Sequence, residues 1–311
     1  MSEVYDVVVV GGGAAGLNAA LVLGRSRRRV AVVDAGEPRN APAAHMQGFL
    51  SRDGMPPAAL LEVGREEVAR YGVTMIEGRV DHIEPGFDVH LTGGPVVRAR
   101  RVVVATGLRD ELPDIPGLRE RWGRDVLHCP YCHGYEVADE PLGVLGTGPN
   151  SLHQALLIRQ WSEDVVLFAE ESMNLTDEGR LQLKARGVRV YEGEVKRLVV
   201  DDDALRGVEL AEGAVVPRRA VFVAPRMVPR DTLLTDLGCD RNEDGWVIAD
   251  PSGRTSVPGV WAVGNVIDPR AQVITAASEG SLAAIAINTD LMDEEVARAV
   301  EERRLAEALA R

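Results

Sequence analysis

Val7-Val8-Val9-Val10 runs without a break into Gly11-Gly12-Gly13-Ala14-Ala15-Gly16, and then into the helix-forming stretch from Leu17 to Leu23. Few local sequences restrict a fold so strongly. A short continuous apolar run of this kind forms a strand buried on both faces, as in a parallel sheet covered by helices. The glycines permit the tight turn, the close approach of backbone to a ligand, and close packing of helix on strand. A second apolar run, Val30 to Val33, predicts the next strand and ends in Asp34. That carboxylate stands about 20 residues after the turn, where dinucleotide-binding βαβ units carry a ribose-binding acid. The expectation is a doubly wound α/β domain whose amides at the helix start approach a pyrophosphate. The competing reading is a glycine-rich turn in an unliganded domain of the same class.

The same pattern returns later. Leu142-Gly143-Val144-Leu145-Gly146-Thr147-Gly148-Pro149-Asn150-Ser151 again reads as strand, glycine turn and helix start, so the chain repeats its first mononucleotide unit. The repeat is degraded, because Ser151 stands where a third Gly or Ala would let helix and strand pack closely. After its second strand, Val165 to Phe168, come Ala169-Glu170-Glu171-Ser172-Met173-Asn174. No Arg or Lys is offered there for the extra phosphate of NADP, and two carboxylates repel it.

Between and beyond these units the reading is coarser. Glu37 to Gly54 is interrupted by Pro38, Pro42, Gly48 and Gly54 and predicts a loop, with His45 in it more a surface histidine than a ligand. Pro57 to Tyr71 has helical spacing; Val73 to Ile83 and Val96 to Val104 read as strands, the latter ended by Ala105-Thr106-Gly107. Pro113 and Pro116-Gly117 mark a linker. Val188 to Tyr191 and Val221 to Val223 continue the second sheet, and Pro225 and Pro229 predict another crossing near residues 225–245. Gly259-Val260-Trp261-Ala262-Val263-Gly264-Asn265 is a strand with a polar end, and Gln272-Val273-Ile274-Thr275 opens a helix through Asn288. The charged tail from Asp293 to Arg311 carries an apolar stripe of Val296, Val300 and Leu305, as a surface or dimer helix does.

Composition excludes several classes of partner. The formal charge of −13, from 35 basic and 48 acidic residues, repels a phosphate backbone, and the short basic run Arg25-Ser26-Arg27-Arg28-Arg29 lies between a helix and a strand. No nucleic-acid partner is expected. No apolar run has the length needed to cross a bilayer, and Met1-Ser2-Glu3 leads almost directly into the first strand, so a cytoplasmic protein without a membrane partner is expected. Three cysteines do not make a secreted disulfide framework, and Cys239 reads as a small buried hydrophobe.

The other two cysteines fall in His128-Cys129-Pro130-Tyr131-Cys132-His133-Gly134. Cysteines separated by two residues can close a disulfide, and Pro130 suits the first position of a helical turn, which places Cys129 at its N-terminus. Unpaired amides there favour a thiolate, and an imidazolium at His128 or His133 pushes the same way. The pair therefore reads as reactive. Zinc held by residues 128, 129, 132 and 133 would need two sequence-adjacent pairs to converge, although neighbouring helical side chains point roughly 100° apart. An inert buried pair is the other alternative. No metal site is expected.

GGGAAG at 11–16, ATG at 105–107, CxxC at 129–132, GTGPNS at 146–151 and GVWAVGN at 259–265 together resemble the low-molecular-weight thioredoxin reductase family over essentially the whole chain. The resemblance implies two Rossmann-like nucleotide-binding domains of α/β class, the second inserted into the first. Residues 1–114 and 242–311 would form the FAD domain, and 115–241 an inserted NAD(P)-binding-like domain carrying the CxxC. Gly11, Gly13, Ala14, Ala15, Gly16 and Asp34 would hold the FAD pyrophosphate and ribose, joined by Ala105, Thr106, Gly107 and Gly264. Asn265 would touch the ribityl chain, and Gln272 and Val273 would present amides to the flavin ring. Cys132 would lie against that ring and Cys129 would exchange with substrate. A homodimer through the FAD domains is implied as well.

Three departures separate the chain from a reductase: His133 for the acid after the second cysteine, Glu170-Glu171 for a basic cluster, and Asn265 for the usual Asp. CxxCHGYE beside an impaired nicotinamide site is similar to the branch that closes the disulfides of holomycin, gliotoxin and romidepsin, with the holomycin type the nearest in kind. That likeness implies oxidation of a small dithiol through the CxxC and FAD, with O2 as acceptor and H2O2 as product. Histidine has an unperturbed pKa of about 6.5, so it can take a thiol proton near neutral pH. His133 is the first choice for that base and His128 the second, the alternative being that either caps backbone carbonyls. The rival readings are an NAD(P)H- or ferredoxin-linked thioredoxin reductase and an FAD-holding redox sensor without turnover.

Overall fold

A computed structural model describes residues 4–310, which cluster into two compact units. The first comprises Met1–Arg39, Ala58–Arg109 and Val228–Arg311, and the second Asn40–Pro57 and Asp110–Met227. The expectations resting on Met1 to Glu3 and on Arg311 lie outside the described residues. A thioredoxin reductase-like α/β architecture with largely parallel sheets is what the elements build.

The first unit opens with β1 (Val4–Val10), α1 (Ala14–Arg25) and β2 (Val30–Asp34), continues through α2 (Pro57–Ala69), and adds β3 (Thr74–Glu77), β4 (Val80–Ile83), β5 (Asp88–Leu91) and β6 (Val96–Val104). They form one sheet in the order β3-β2-β1-β6-β5-β4, and the late strand Val260–Ala262 pairs with β6. Pairing is parallel around β1 and antiparallel between β4, β5 and β6. Alternation along β1 shows why the valine run is continuous: Val7 and Val9 enter one core, Val8 and Val10 the other. Strand β2 divides in the same way, Val30 and Val32 against Ala31 and Val33. Both faces of the sheet are covered along Val7–Val10 and Val30–Val33, so these positions are apolar, and the polar Asp6 and Asp34 fall outside them.

On one face α1 crosses the long helix Val273–Leu309 with little room to spare. A Cβ on Gly280 would stand 2.1 Å from the Ala15 carbonyl oxygen, and one on Gly16 would stand 1.9 Å from that of Gly11. The third glycine of the turn is therefore needed for close packing of helix and strand.

Four points in this unit differ from the expectation. Val73 to Ile83 is two strands, because Gly78 at φ 155° ends β3, which pairs in parallel with β2, and β4 pairs instead with β5. The sequence reading contains no β5, a four-residue strand directly after Pro85-Gly86, too short for its alternation to stand out. The helix expected to end at Asn288 continues to Leu309, so the charged tail is its outer half. Residues 232–241 also pack here rather than in the inserted unit, with Leu233, Leu234 and Cys239 in the second core of this sheet.

In the second unit the parallel strands run in the order Arg189–Glu192, Val165–Ala169, Leu142–Gly146, Ala220–Val223, Val126–Leu127. Val195–Asp201, Ala204–Leu210 and Val215–Pro217 form a separate antiparallel sheet absent from the sequence reading. The loop Asn40–Pro57 belongs to this unit by its contacts. Among the described residues no helix is long and apolar enough to cross a membrane.

An ion-pair network ties the long helix to the sheet of the first unit. Glu295 accepts from Arg28 at 2.6 Å and Arg100 at 2.8 Å, while Arg100 also meets Asp6 and Glu294. Hydrogen bonds from Arg28 and then Arg100 hold the Glu295 carboxyl down at about 2, from an ordinary 4.5. A carboxyl whose folded pKa is lowered contributes stability above its unfolded pKa and loses it as pH falls through the folded value. The melting temperature of wild type should therefore exceed that of Glu295→Gln at neutral pH, with the gap closing between pH 4.5 and about 2. A gap unchanged across that range in thermal melts would show that the network does not act through this carboxylate.

Candidate active site

The first unit gathers the predicted cofactor residues at the carboxyl ends of its parallel strands. Gly11 donates to the Val33 carbonyl at 2.8 Å, and Gly12 donates to Asp34 Oδ1 at 3.1 Å, so the turn is pinned to β2 by backbone and by the acid itself. Gly13 occupies the N-cap of α1 with no side chain capping the helix, and a Cβ there would meet nothing within 4 Å. Ala14, Ala15 and Gly16 follow in the first turn of α1, whose leading amides have no intrahelical acceptor. Open space over uncapped amides is a cradle for an anion. Asp34 keeps a fifth of its side chain accessible, with Arg65 Nη2 3.8 Å away.

Ala105, Thr106 and Gly107 close the neighbouring strand end. Ala105 donates to the Val10 carbonyl at 2.7 Å, Thr106 Oγ1 donates to the Arg230 carbonyl at 2.6 Å, and Arg230 N–H donates to that of Gly107 at 2.9 Å. Gly264 donates to Glu279 Oε2 at 2.6 Å, and burial raises the Glu279 carboxyl above its usual range against the pull of that hydrogen bond. Asn265 uses Nδ2 twice, donating to the Asp268 carbonyl at 2.8 Å and the Ala271 carbonyl at 2.9 Å. Its Oδ1 accepts from Arg39 at 3.4 Å. Two carbonyls facing one side-chain atom fix the orientation of the amide. Gln272 is the extended N-cap of the 37-residue helix, and Val273 is its first residue. Arg39, Arg65 and Glu279 were not singled out from sequence. No motif marks them, since the turns that bring them here form only on folding.

The second unit carries the cysteines. Cys129 and Cys132 form a disulfide with Cα atoms 5.3 Å apart, at the start of a helical turn over Pro130–His133. Cys129 is the N-cap and Pro130 the first helical residue, as the spacing predicts. Cys132 and His133 both donate to the Cys129 carbonyl at 3.2 Å. The turn rests on Trp161: Tyr131 meets it edge-on at 5.6 Å, and a Cβ on Gly134 would stand 2.9 Å from the indole. Burial pushes the His133 imidazole below its ordinary 6.5, opposed by the charge of Glu136. Glu136 in turn accepts from Gln47 Nε2 at 2.9 Å, which ties the loop Asn40–Pro57 to this segment. His128 differs: its Nδ1 lies 3.1 Å from the Val223 carbonyl, so the proton sits on Nδ1 and the ring caps a backbone acceptor.

The second glycine turn satisfies itself. Ser151 is fully buried, and its hydroxyl accepts from Gly148 N–H at 3.3 Å while donating to the Leu145 carbonyl at 3.4 Å. An amide that would otherwise face a pyrophosphate already has a partner. Glu170 and Glu171 stand just past the second strand of this unit, and Glu171 is exposed.

Residues 5–280 match the family model described as pyridine nucleotide-disulphide oxidoreductase. The chain belongs to that family. Within it the chain is 30% identical over 316 residues to thioredoxin reductase sirT of Leptosphaeria maculans, covering 95% of this chain and 97% of that one. Thioredoxin reductase tcpT of Claviceps purpurea is 30% identical over 280 residues, covering 85% and 87%. A crystal structure of HlmI superposes with a TM-score of 0.94 at 65% identity, covering 97% of this chain and 98% of that one. The oxidoreductase family likeness read from the motifs thus holds over the whole chain, and FAD is the cofactor of its thioredoxin reductase-like members. The uncapped turn at Gly13 and the partly accessible acid Asp34 fit such a dinucleotide.

The usual Asp of the family cannot do what Asn265 does here, because a carboxylate has no hydrogen to donate to two carbonyls. Asn265→Asp should therefore destabilise the first unit by about 1 kcal/mol or more, the cost of leaving two partly buried acceptors unpaired. Urea denaturation followed by circular dichroism reads this, and an unchanged midpoint would show that the amide does not hold the 268–271 turn.

Proposed function

We propose that the protein is an FAD-dependent oxidase that closes a small-molecule dithiol into an intramolecular disulfide, with O2 as acceptor and H2O2 as product. A substrate of the dithiolopyrrolone kind, in natural-product biosynthesis or self-protection, matches the likeness to the holomycin-type branch. The observation that carries the reading is an intact Cys129–Cys132 disulfide flanked by a histidine kept neutral by burial, in a unit whose own nucleotide turn is closed by Ser151.

Gly11, Gly13, Ala14, Ala15, Gly16 and Asp34 would hold the pyrophosphate and ribose of FAD, Asn265 the ribityl chain, and Gln272 and Val273 the ring, with Ala105, Thr106, Gly107 and Gly264 lining the same strand ends. FAD bound there supplies a two-electron acceptor for the reduced cysteine pair, one that oxygen restores.

His133 takes the proton of the first substrate thiol, and the thiolate attacks Cys129 Sγ. The Cys129–Cys132 bond breaks, a mixed disulfide forms, and Cys132 leaves as a thiolate. The second substrate thiol then gives its proton to solvent and attacks the substrate sulfur, closing the ring and releasing Cys129 as a thiolate. The substrate loses two electrons and two protons, and the cysteine pair gains the electrons. A base with a lowered pKa stays unprotonated at neutral pH, which suits His133 to this task. His128, engaged with the Val223 carbonyl, is the second choice.

A homodimer in the cytoplasm completes the reading, and the exposed apolar residues Met292, Val296, Val300 and Leu305 on the outer half of the long helix offer it a surface. The relatives' name, thioredoxin reductase, favours the rival in which a nicotinamide or ferredoxin donor reduces the flavin.

Two experiments separate these. Anaerobic enzyme mixed with excess NADPH should keep its yellow absorbance, whereas a small dithiol should bleach it and air should restore it with release of H2O2. Rapid bleaching by NADPH overturns the oxidase. In the second, Cys129→Ser should show a long-wavelength absorbance band from the thiolate of Cys132, and Cys132→Ser should not; the reverse pattern exchanges the two roles.

A further inference from the structure

Strand β4 and the unexpected strand β5 set His82 directly opposite His90 across an antiparallel pair. Their rings stack with centroids 4.1 Å apart and planes 13° from parallel. Glu84, one residue beyond the end of β4, brings Oε1 to 3.2 Å from His90 Nε2. One ligand atom from each of His82, Glu84 and His90 lies within 4.8 Å of the other two. His90 Nε2 is shielded from solvent and, among the described residues, makes no hydrogen bond despite that short distance. A shielded ring nitrogen without a hydrogen-bond partner is costly unless something else takes its lone pair. His82 Nδ1 also lies 3.2 Å from Asp81 Oδ2.

We propose that His82, Glu84 and His90 bind a first-row divalent transition cation, with Zn2+ as the representative ion. Two imidazoles and one carboxylate form the borderline donor set that favours such ions over Mg2+ and Ca2+, which take mainly oxygen ligands. Three protein ligands leave a fourth position for water, as in an open tetrahedral site. Asp81 stands beside one ligand in the outer-sphere role that carboxylates commonly take toward metal-bound histidine. All three ligands come from one hairpin, so the cation clips β4 to β5 at the edge of the sheet. Neither strand contributes to the glycine turn or to the cysteine pair.

The test uses full-length, FAD-loaded protein with its cysteine disulfide closed, in buffer free of dithiols, since thiolates also bind zinc. Calorimetric titration with ZnCl2 should give one ion per chain. His82→Ala and His90→Ala should each weaken binding at least tenfold, while Cys129→Ser/Cys132→Ser should leave it intact. The melting temperature of wild type should rise with ZnCl2 and that of His82→Ala/His90→Ala should not. Flavin absorbance confirms that each variant is folded, and His90→Gln replaces any alanine variant that fails to load FAD. Absence of zinc binding by wild type overturns the proposal, as does unchanged binding in the double histidine variant or equal binding of MgCl2.

Discussion

Burial of β1 on both faces is the constraint from which the first unit follows. Each fully buried valine contributes about 1.5–3 kcal/mol, against roughly 1–2 kcal/mol to fix the backbone of one residue. Val7 to Val10 thus pull helices onto both sides of the sheet, and the chain leaves the strand at Gly11 into a turn that only small residues can make. The amides of that turn, the acid at the end of β2 and the polar end of the strand Val260–Ala262 then lie along neighbouring strand ends. The proposed dinucleotide site is a by-product of how these strands are covered.

The second unit uses the same architecture for a different end. Its first strand is as deeply buried as β1, yet the turn after it is closed by a serine hydroxyl, and the residues after the next strand are acidic. Its cysteine pair sits in the helical turn at Cys129, seated against Trp161 and tied through Glu136 to Gln47. Burial at His133 works in the direction that the proposed thiol exchange requires, since it disfavours the charged imidazolium. The network around Arg100 and Glu295 is of another kind: charges on the central strands β1 and β6 that fasten a helix.

Local patterns alone determined the two glycine turns, the acid at the end of β2, the cysteine pair at a helix start and the α/β class, because each depends on residues within one or two turns of chain. Tertiary structure decided the rest. Asn265 differs from the family's Asp by one atom in sequence, but only the fold shows that its nitrogen spans the carbonyls of Asp268 and Ala271. Likewise the role of Ser151 depends on where the Gly148 amide points, and the assignment of Asn40–Pro57 to the cysteine unit depends on contacts made far along the chain. Val73 to Ile83 read as one strand because β-propensity does not record the break at Gly78, and the turn at Pro85-Gly86 between β4 and β5 is what sets His82 opposite His90. Residues eight apart in sequence acquire a common face only when a sheet register pairs them, and register is a property of two strands together.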